Sequence, residues 1–249
     1  MLQGLYSSAT ALDAATKTHE IVAHNLAHTN VPGFRRTIPV FQAFERSLPE
    51  YPGTTLGLGT QIEELRTDHG PGPLQTTGRS LDLALQGDGF FVLESEDGAP
   101  LYTRNGVFQL DEQGRLVTSS GLAVRGAMGP LVLPPGTTPS QVRVSKDGSV
   151  WLRGGNQGDP EVAAGRLDLV AFPDPHQLVA VGTTTFSAPA EAVGLPSVAE
   201  VVQGAREGSN VSPVSELVQL LNQSRYFEAS QRAMRTIADA VGHNTHPNS

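Results

Sequence analysis

Histidine is the side chain best placed in this sequence to do chemistry. His24 and His28 stand four residues apart, which puts both imidazoles on one face of a helix, and His19-Glu20 lies about one turn earlier. Such a pair offers two ligands, whereas a zinc site draws three or four from the protein. The spacing is not HExxH, and no carboxylate completes the set, so the pair reads as solvated or packed. Gly87-Asp88-Gly89, Asp97-Gly98 and Asp147-Gly148 are the next candidates, as calcium loops. None extends into alternating oxygen ligands closed by Glu, and all three read better as hairpin turns. Ser119-Ser120-Gly121 lacks the nucleophile-elbow pattern, and no Gly-rich phosphate loop precedes a helix. Cysteine is absent, which removes thiol catalysis and disulfides. The chemistry-bearing residues thus predict no catalytic site, no metal and no cofactor.

The elements that carry these residues are more informative. In Val214 to Val241, Leu220, Phe227, Met234 and Val241 recur every seven residues, with Leu217, Ala233, Ile237 and Ala238 on the flanks of the same stripe. At the other end of the chain Leu5, Leu12, His19 and Leu26 keep that spacing, with Leu2, Ala9, Thr16 and Ala23 three residues before each. Two such seams predict terminal helices that meet, as an antiparallel pair, a parallel pair or a larger tubular bundle. The first helix is stopped by Asn30-Val31-Pro32-Gly33, where Pro32 disfavours helix at Val31 and Gly33 permits positive φ. From Phe34 to Thr77 helical periodicity gives way to prolines and glycines, which reads as an extended connector with short strands near Ile62 to Arg66. After Gly78 the pattern becomes short alternating runs between glycine turns, the signature of an antiparallel meander, sandwich or barrel. The expected organisation is a terminal helical assembly region (1–36 plus 211–241), a connector region (37–78 plus 196–210), a central β domain (79–195) and a tail (242–249). The fold class is α+β.

Composition agrees with a loop-rich β protein: 27 Gly and 18 Pro stand beside 38% hydrophobic and 6% aromatic residues in 249. A formal net charge of −8 argues against nucleic acid, whose binders present a basic face. No run reaches the roughly 18 apolar residues of a membrane span. The start MLQGLYSS lacks the basic and apolar regions of a secretory signal, so any export is expected by another route.

Three segments together resemble a known family. Ala23-His-Asn25-Leu-Ala-His-Thr-Asn30-Val-Pro32-Gly33-Phe34 is similar to the NNLAN…TxGF(K/R) signature near the start of bacterial flagellar rod and hook proteins, with His24 and His28 in place of the usual asparagines. Ser80-Leu-Asp-Leu-Ala-Leu-Gln-Gly87-Asp-Gly89-Phe90-Phe91, then Tyr102-Thr-Arg-Asn-Gly106 and Gly114-Arg-Leu-Val-Thr118, resembles that family's central LDxAIxGxGFF…YTRxGxF…GxLVT pattern. Gly208-Ser-Asn-Val211 resembles the family's (E)xSNV ahead of its last helix. Arg225-Tyr-Phe-Glu228 is more similar to the proximal rod members' RxFE than to the distal members' QRAYE.

The resemblance implies a structural subunit of the flagellar basal-body rod, in the periplasm-spanning axial shaft. It also implies self-association, neighbours among other rod and hook-type axial proteins, and passage through the flagellar export apparatus without a cleaved signal peptide. Assembly would run through Leu5, Leu12, Leu26, Leu220, Phe227, Met234 and Ile237. The turn and motif positions would be Asn25, Asn30, Pro32, Gly33, Phe34, Gly87, Gly89 and Phe90. Two readings compete on pattern alone: an intramolecular helical hairpin in an ordinary domain, and an extracellular β-rich adhesin or carbohydrate-binding module. Trp151 is the single tryptophan and a weak ligand platform for the latter. The ligand analysis yields a first prediction: exhaustive dialysis against chelators leaves the thermal midpoint of the β core unchanged, and a fall of several degrees by calorimetry would revive a metal site.

Overall fold

The computed structural model describes residues 2–47, 55–95, 97–154 and 160–245. They fall into two compact units, one of Met1–His28, Thr37–Asp68 and Val211–Ser249, the other of Thr29–Arg36 and His69–Asn210. The fold class is α+β, as the sequence predicts.

In the first unit, helix α1 (Leu2–Ala27) and helix α2 (Pro213–Thr245) pack together. Pro213 opens α2 at the position where a missing N–H costs nothing, and the amide of Glu216 bonds the Ser212 carbonyl at 3.0 Å. The pair is antiparallel: a Cβ on Gly4 would touch Ile237, while Ala15 to Glu20 face Gln223 to Gln231. That resolves the choice left open by the heptads. The helices' inner faces differ in kind. On α2 the half-buried positions include Leu220, Gln223, Phe227, Gln231, Met234 and Ile237, and Glu216 is fully buried. On α1 the buried side chains are Ala14, Ala15, Thr18, Val22 and Asn25, whereas His19 and the heptad partners Ala9, Thr16 and Ala23 are exposed. Of the Leu5/Leu12/His19/Leu26 stripe, Leu12 and Leu26 are half-buried and His19 is exposed. The cause is that α1 has two partners, α2 and a β-hairpin, and close approach to both favours small residues on the inner arc.

That hairpin is strand β1 (Thr37–Ser47) paired antiparallel with β2 (Thr55–Thr67), from Thr37 opposite Thr67 to Ser47 opposite Thr55. Residues 37–47 and 55–67 thus pair as two long strands where the sequence suggests a connector with short strands. Their signal is hidden because the register shifts at Val40/Phe41 and Phe44/Glu45, which breaks the period of two, and because Pro39 and two glycines interrupt the strands. Gly59 (φ 135°) is one of those glycines, and a Cβ there would run into the side chain of Thr10 on α1.

The second unit is antiparallel β throughout. Strands β3 (Leu74–Thr76), β4 (Leu83–Gln86), β5 (Phe90–Glu94) and β6 (Pro100–Thr103) begin it. The largest sheet runs, in spatial order, Val179–Ala180, Thr185–Ser187, β6, β5, Ala123–Gly126, Leu116–Thr118 and Phe108–Leu110. Its core includes Leu83, Phe91, Leu93, Phe108, Leu133 and Val150. A second cluster gathers Phe90, Phe172, Leu178 and Phe186. The segment 196–210, expected as connector, is built into this unit: Glu200–Gln203 pairs with β4 and Ala205–Glu207 with β3. Asp97-Gly98 closes the β5–β6 hairpin and Asp147-Gly148 turns between Val142–Val144 and Ser149–Leu152. Gly87-Asp88-Gly89 is different, since β4 and β5, the strands it joins, pair elsewhere.

Within the first unit, Asn25 (1% exposed) fastens the end of α1 to the start of β1: its amide donates to the Thr37 carbonyl and its oxygen accepts the Thr37 N–H, both at 2.9 Å. Asn25→Ala removes both bonds, at about 1 kcal/mol each plus the desolvation left uncompensated, so a loss of about 2–3 kcal/mol is expected. Amide exchange at Thr37 and urea unfolding measure it.

Candidate functional site

The most heavily engineered locus is not at the predicted stripes. In the second unit, Arg35, Arg104 and Glu207 are 3%, 6% and 1% exposed and form a buried ionic cluster. Arg35 Nη2 meets Glu207 Oε1 at 2.6 Å, and Arg104 Nη1 meets Oε2 at 3.4 Å. The Gly72 N–H donates to Oε1 at 2.9 Å, and the Glu207 carbonyl accepts the Gly33 N–H at 2.9 Å. Arg104 also donates to the Gly87 carbonyl at 2.9 Å and lies over the Phe90 ring, 5.3 Å from its centroid. Burial lowers the Arg104 pKa and the Glu207 carboxylate opposes that fall. A guanidinium this basic keeps its charge regardless.

The motif residues are the scaffold of this cluster. Val31 to Phe34 form a turn closed by the Phe34 N–H on the Val31 carbonyl at 3.2 Å, with Pro32 second and Gly33 (φ 70°) third, the arrangement of a type II turn. A side chain on Gly33 would collide with the backbone of Asn105, so the position admits glycine alone. Phe34 is buried and Asn30 is exposed on the turn. Asn210 accepts the Arg36 N–H at 2.8 Å and donates to the Gly70 carbonyl at 3.1 Å. Side chains on Gly87 or Gly89 would press on Ala199 or Ser197, and Phe90 sits edge-on to Phe172 and Phe186. These residues hold backbone segments together.

In the first unit, Leu12, Leu26, Leu220, Phe227, Met234 and Ile237 are half-buried, and the side chain of Leu5 lies outside the described residues. A groove of about 500 Å³ runs between the helices, lined by Ala15, Thr16, His19 and Glu20 on α1 and by Gln223, Ser224, Phe227, Glu228 and Gln231 on α2. α2 also carries a second apolar stripe that faces away from α1: Val214, Leu217, Val218 and Leu221 are 71%, 47%, 51% and 61% exposed. His24 and His28 stack at 4.3 Å between ring centroids, and the His28 Nδ1 pairs with the His24 carbonyl at 2.8 Å. Partial desolvation, then the neighbouring His28, lower the His24 pKa. Among the described residues no three His, Asp or Glu converge as metal ligands, and no helix is long and apolar enough to cross a membrane.

Residues 84–152 match the family described as flagellar hook protein FlgE/F/G D1 domain, and residues 202–240 match flagellar basal body rod FlgEFG protein C-terminal. Similar proteins extend along the whole length. The flagellar basal-body rod protein FlgG of Agrobacterium fabrum is 32% identical over 94% of this chain and 95% of its own. FlgG of Buchnera aphidicola from Acyrthosiphon pisum is 31% identical over 95% and 96%. FlgF of Salmonella typhimurium is 33% identical over 94% of both chains. The chain belongs to the flagellar basal-body rod protein family. This rod protein is accordingly structural rather than catalytic, and its family associates with other rod subunits. FlgG and FlgF relatives match it about equally, so overall identity does not separate the two kinds.

Arg35, Arg104, Glu207 and Asn210 were not singled out by sequence reasoning, although each sits in or beside a quoted motif: after Gly33-Phe34, inside Tyr102-Thr-Arg-Asn-Gly106, and in Glu207-Gly-Ser-Asn210. Charged residues at three such sites were the available signal for a buried cluster. Glu207→Gln keeps the shape but leaves two buried guanidiniums without a counter-charge, and about 3–5 kcal/mol of stability should be lost. Urea unfolding followed at Trp151 reports this, with Glu200→Gln, an exposed ion-pair partner, as the near-neutral control.

Proposed function

We propose that this rod protein polymerises through its terminal helices into part of the axial drive shaft, transmitting torque by packing. The observation that carries the reading is the outward stripe Val214, Leu217, Val218 and Leu221 on α2, four apolar side chains at helical spacing left in water by the fold. Such helices gain their stability by burying a face, and a neighbouring subunit supplies one. An open heterologous arrangement then stacks subunits helically, with self-association and contact to other rod and hook-type axial proteins. Leu5, Leu12, Leu26, Leu220, Phe227, Met234 and Ile237 form or brace that surface. Passage through the flagellar export apparatus accompanies that reading, and Arg225-Tyr-Phe-Glu228 favours a proximal position along the rod.

Val218→Asp tests the reading because Val218 is exposed and faces away from α1. A Leu- or Val-sized contact is worth about 1.5–3 kcal/mol, so assembly should weaken by at least tenfold while circular dichroism stays that of the wild type. Phe227→Asp should abolish assembly and also loosen the helix pair, since its ring lies in the groove between α1 and α2. Rod completion and motility in cells carrying each variant decide the matter. Normal rods with Val218→Asp would overturn helix-borne assembly.

A further inference from the structure

The groove between α1 and α2 is open because Ala15 and Ser224 are too small to fill it, and it combines an aromatic floor with acidic walls. Phe227 provides the floor, Glu20 and Glu228 the acid, and His19 and Gln231 the hydrogen-bonding groups. Glu20 has no ion-pair partner among the described residues, while Glu228 is met by Arg232 at 3.8 Å in an exposed pair. The adjoining surface of α2 carries a complementary ridge. Leu217, Leu221 and Arg225 follow one another at steps of four along the helix, all exposed, and Arg225 likewise has no ion-pair partner among the described residues. Ridges of this i±4 kind are what helices insert into grooves. An apolar ridge ending in a cation fits a groove that offers an aromatic side chain and two carboxylates.

We propose that this groove accepts the Leu221–Arg225 ridge of a second copy's α2, with Glu20 receiving Arg225. The inference rests on the reading that the terminal helices carry assembly, and names the contact. Groove and ridge are different surfaces of one molecule, so the contact is heterologous and repeats from subunit to subunit instead of closing on a dimer. His19, the one polar member among Leu5, Leu12, His19 and Leu26, sits in the groove wall.

The test uses full-length chain and charge reversal. Glu20→Arg and Arg225→Glu, each alone, place like charges in the contact and should weaken self-association, read by sedimentation velocity, by about tenfold or more. An equimolar mixture of the two variants should associate as the wild type does, because each groove then meets a ridge of opposite charge. A rescue by mixing cannot arise within one chain. The pairing is overturned if either reversal leaves association unchanged, or if the mixture remains as weak as its components. Val218→Asp separates the two levels: if it abolishes association while the reversals do nothing, only the pairing falls, and if it too does nothing, helix-borne assembly fails. A wild-type chain that stays monomeric up to its solubility limit overturns both.

Discussion

The second unit depends on one carboxylate. Glu207 lies almost wholly out of water between two guanidiniums, so its desolvation must be offset by charge and hydrogen bonds placed with little tolerance. Both oxygens are used, one by Arg35 and the Gly72 amide, the other by Arg104. Arg35 Nε and Nη1 and Arg104 Nε, by contrast, are buried and find no hydrogen-bond partner among the described residues. A cluster with surplus donors is a poor source of stability compared with a packed apolar patch. What it supplies is definition: only one arrangement of the segment after α1, the end of β6 and the strand before α2 brings two cations to one anion.

The helical unit is organised on another principle. Its inner faces use size, with alanine, threonine and valine on α1 where two partners press in, and longer side chains on α2 where one does. Among its polar fastenings is the pair of bonds between Asn25 and Thr37. On α2, Val214, Leu217, Val218 and Leu221 are left on the outer arc, an unusual distribution for a self-sufficient domain and an ordinary one for a subunit whose surroundings are other subunits.

Much of this was legible from residue patterns, and the exceptions have physical causes. The terminal helices, the β-rich middle, the stop at Pro32-Gly33 and the family follow from periodicity and motif. The inner face of α1 did not, because a heptad of leucines states that a helix has an apolar stripe without stating which neighbour will cover it. The β1–β2 hairpin was concealed by its bulges and by Pro39, features that erase alternation while leaving the pairing intact. The ionic cluster was concealed by distance, since Arg35 and Glu207 are separated by 172 residues and no local pattern links them. Gly87-Asp88-Gly89 looked like a hairpin turn because local sequence describes a bend and not the partners of the strands beyond it.

That separation has a consequence in time. Closing a contact over such a span carries one of the larger loop-closure penalties available to the chain, and topologies of this kind fold late. A chain made from its N-terminus holds Arg35 and Arg104 long before it holds their anion, so the cluster is absent from every nascent chain that has not reached Glu207. Until then two arginines destined for the interior remain hydrated, and their solvation resists premature closure of the core around them. The strand before α2, which carries Glu207, must therefore be present before the ionic cluster of the β unit can close.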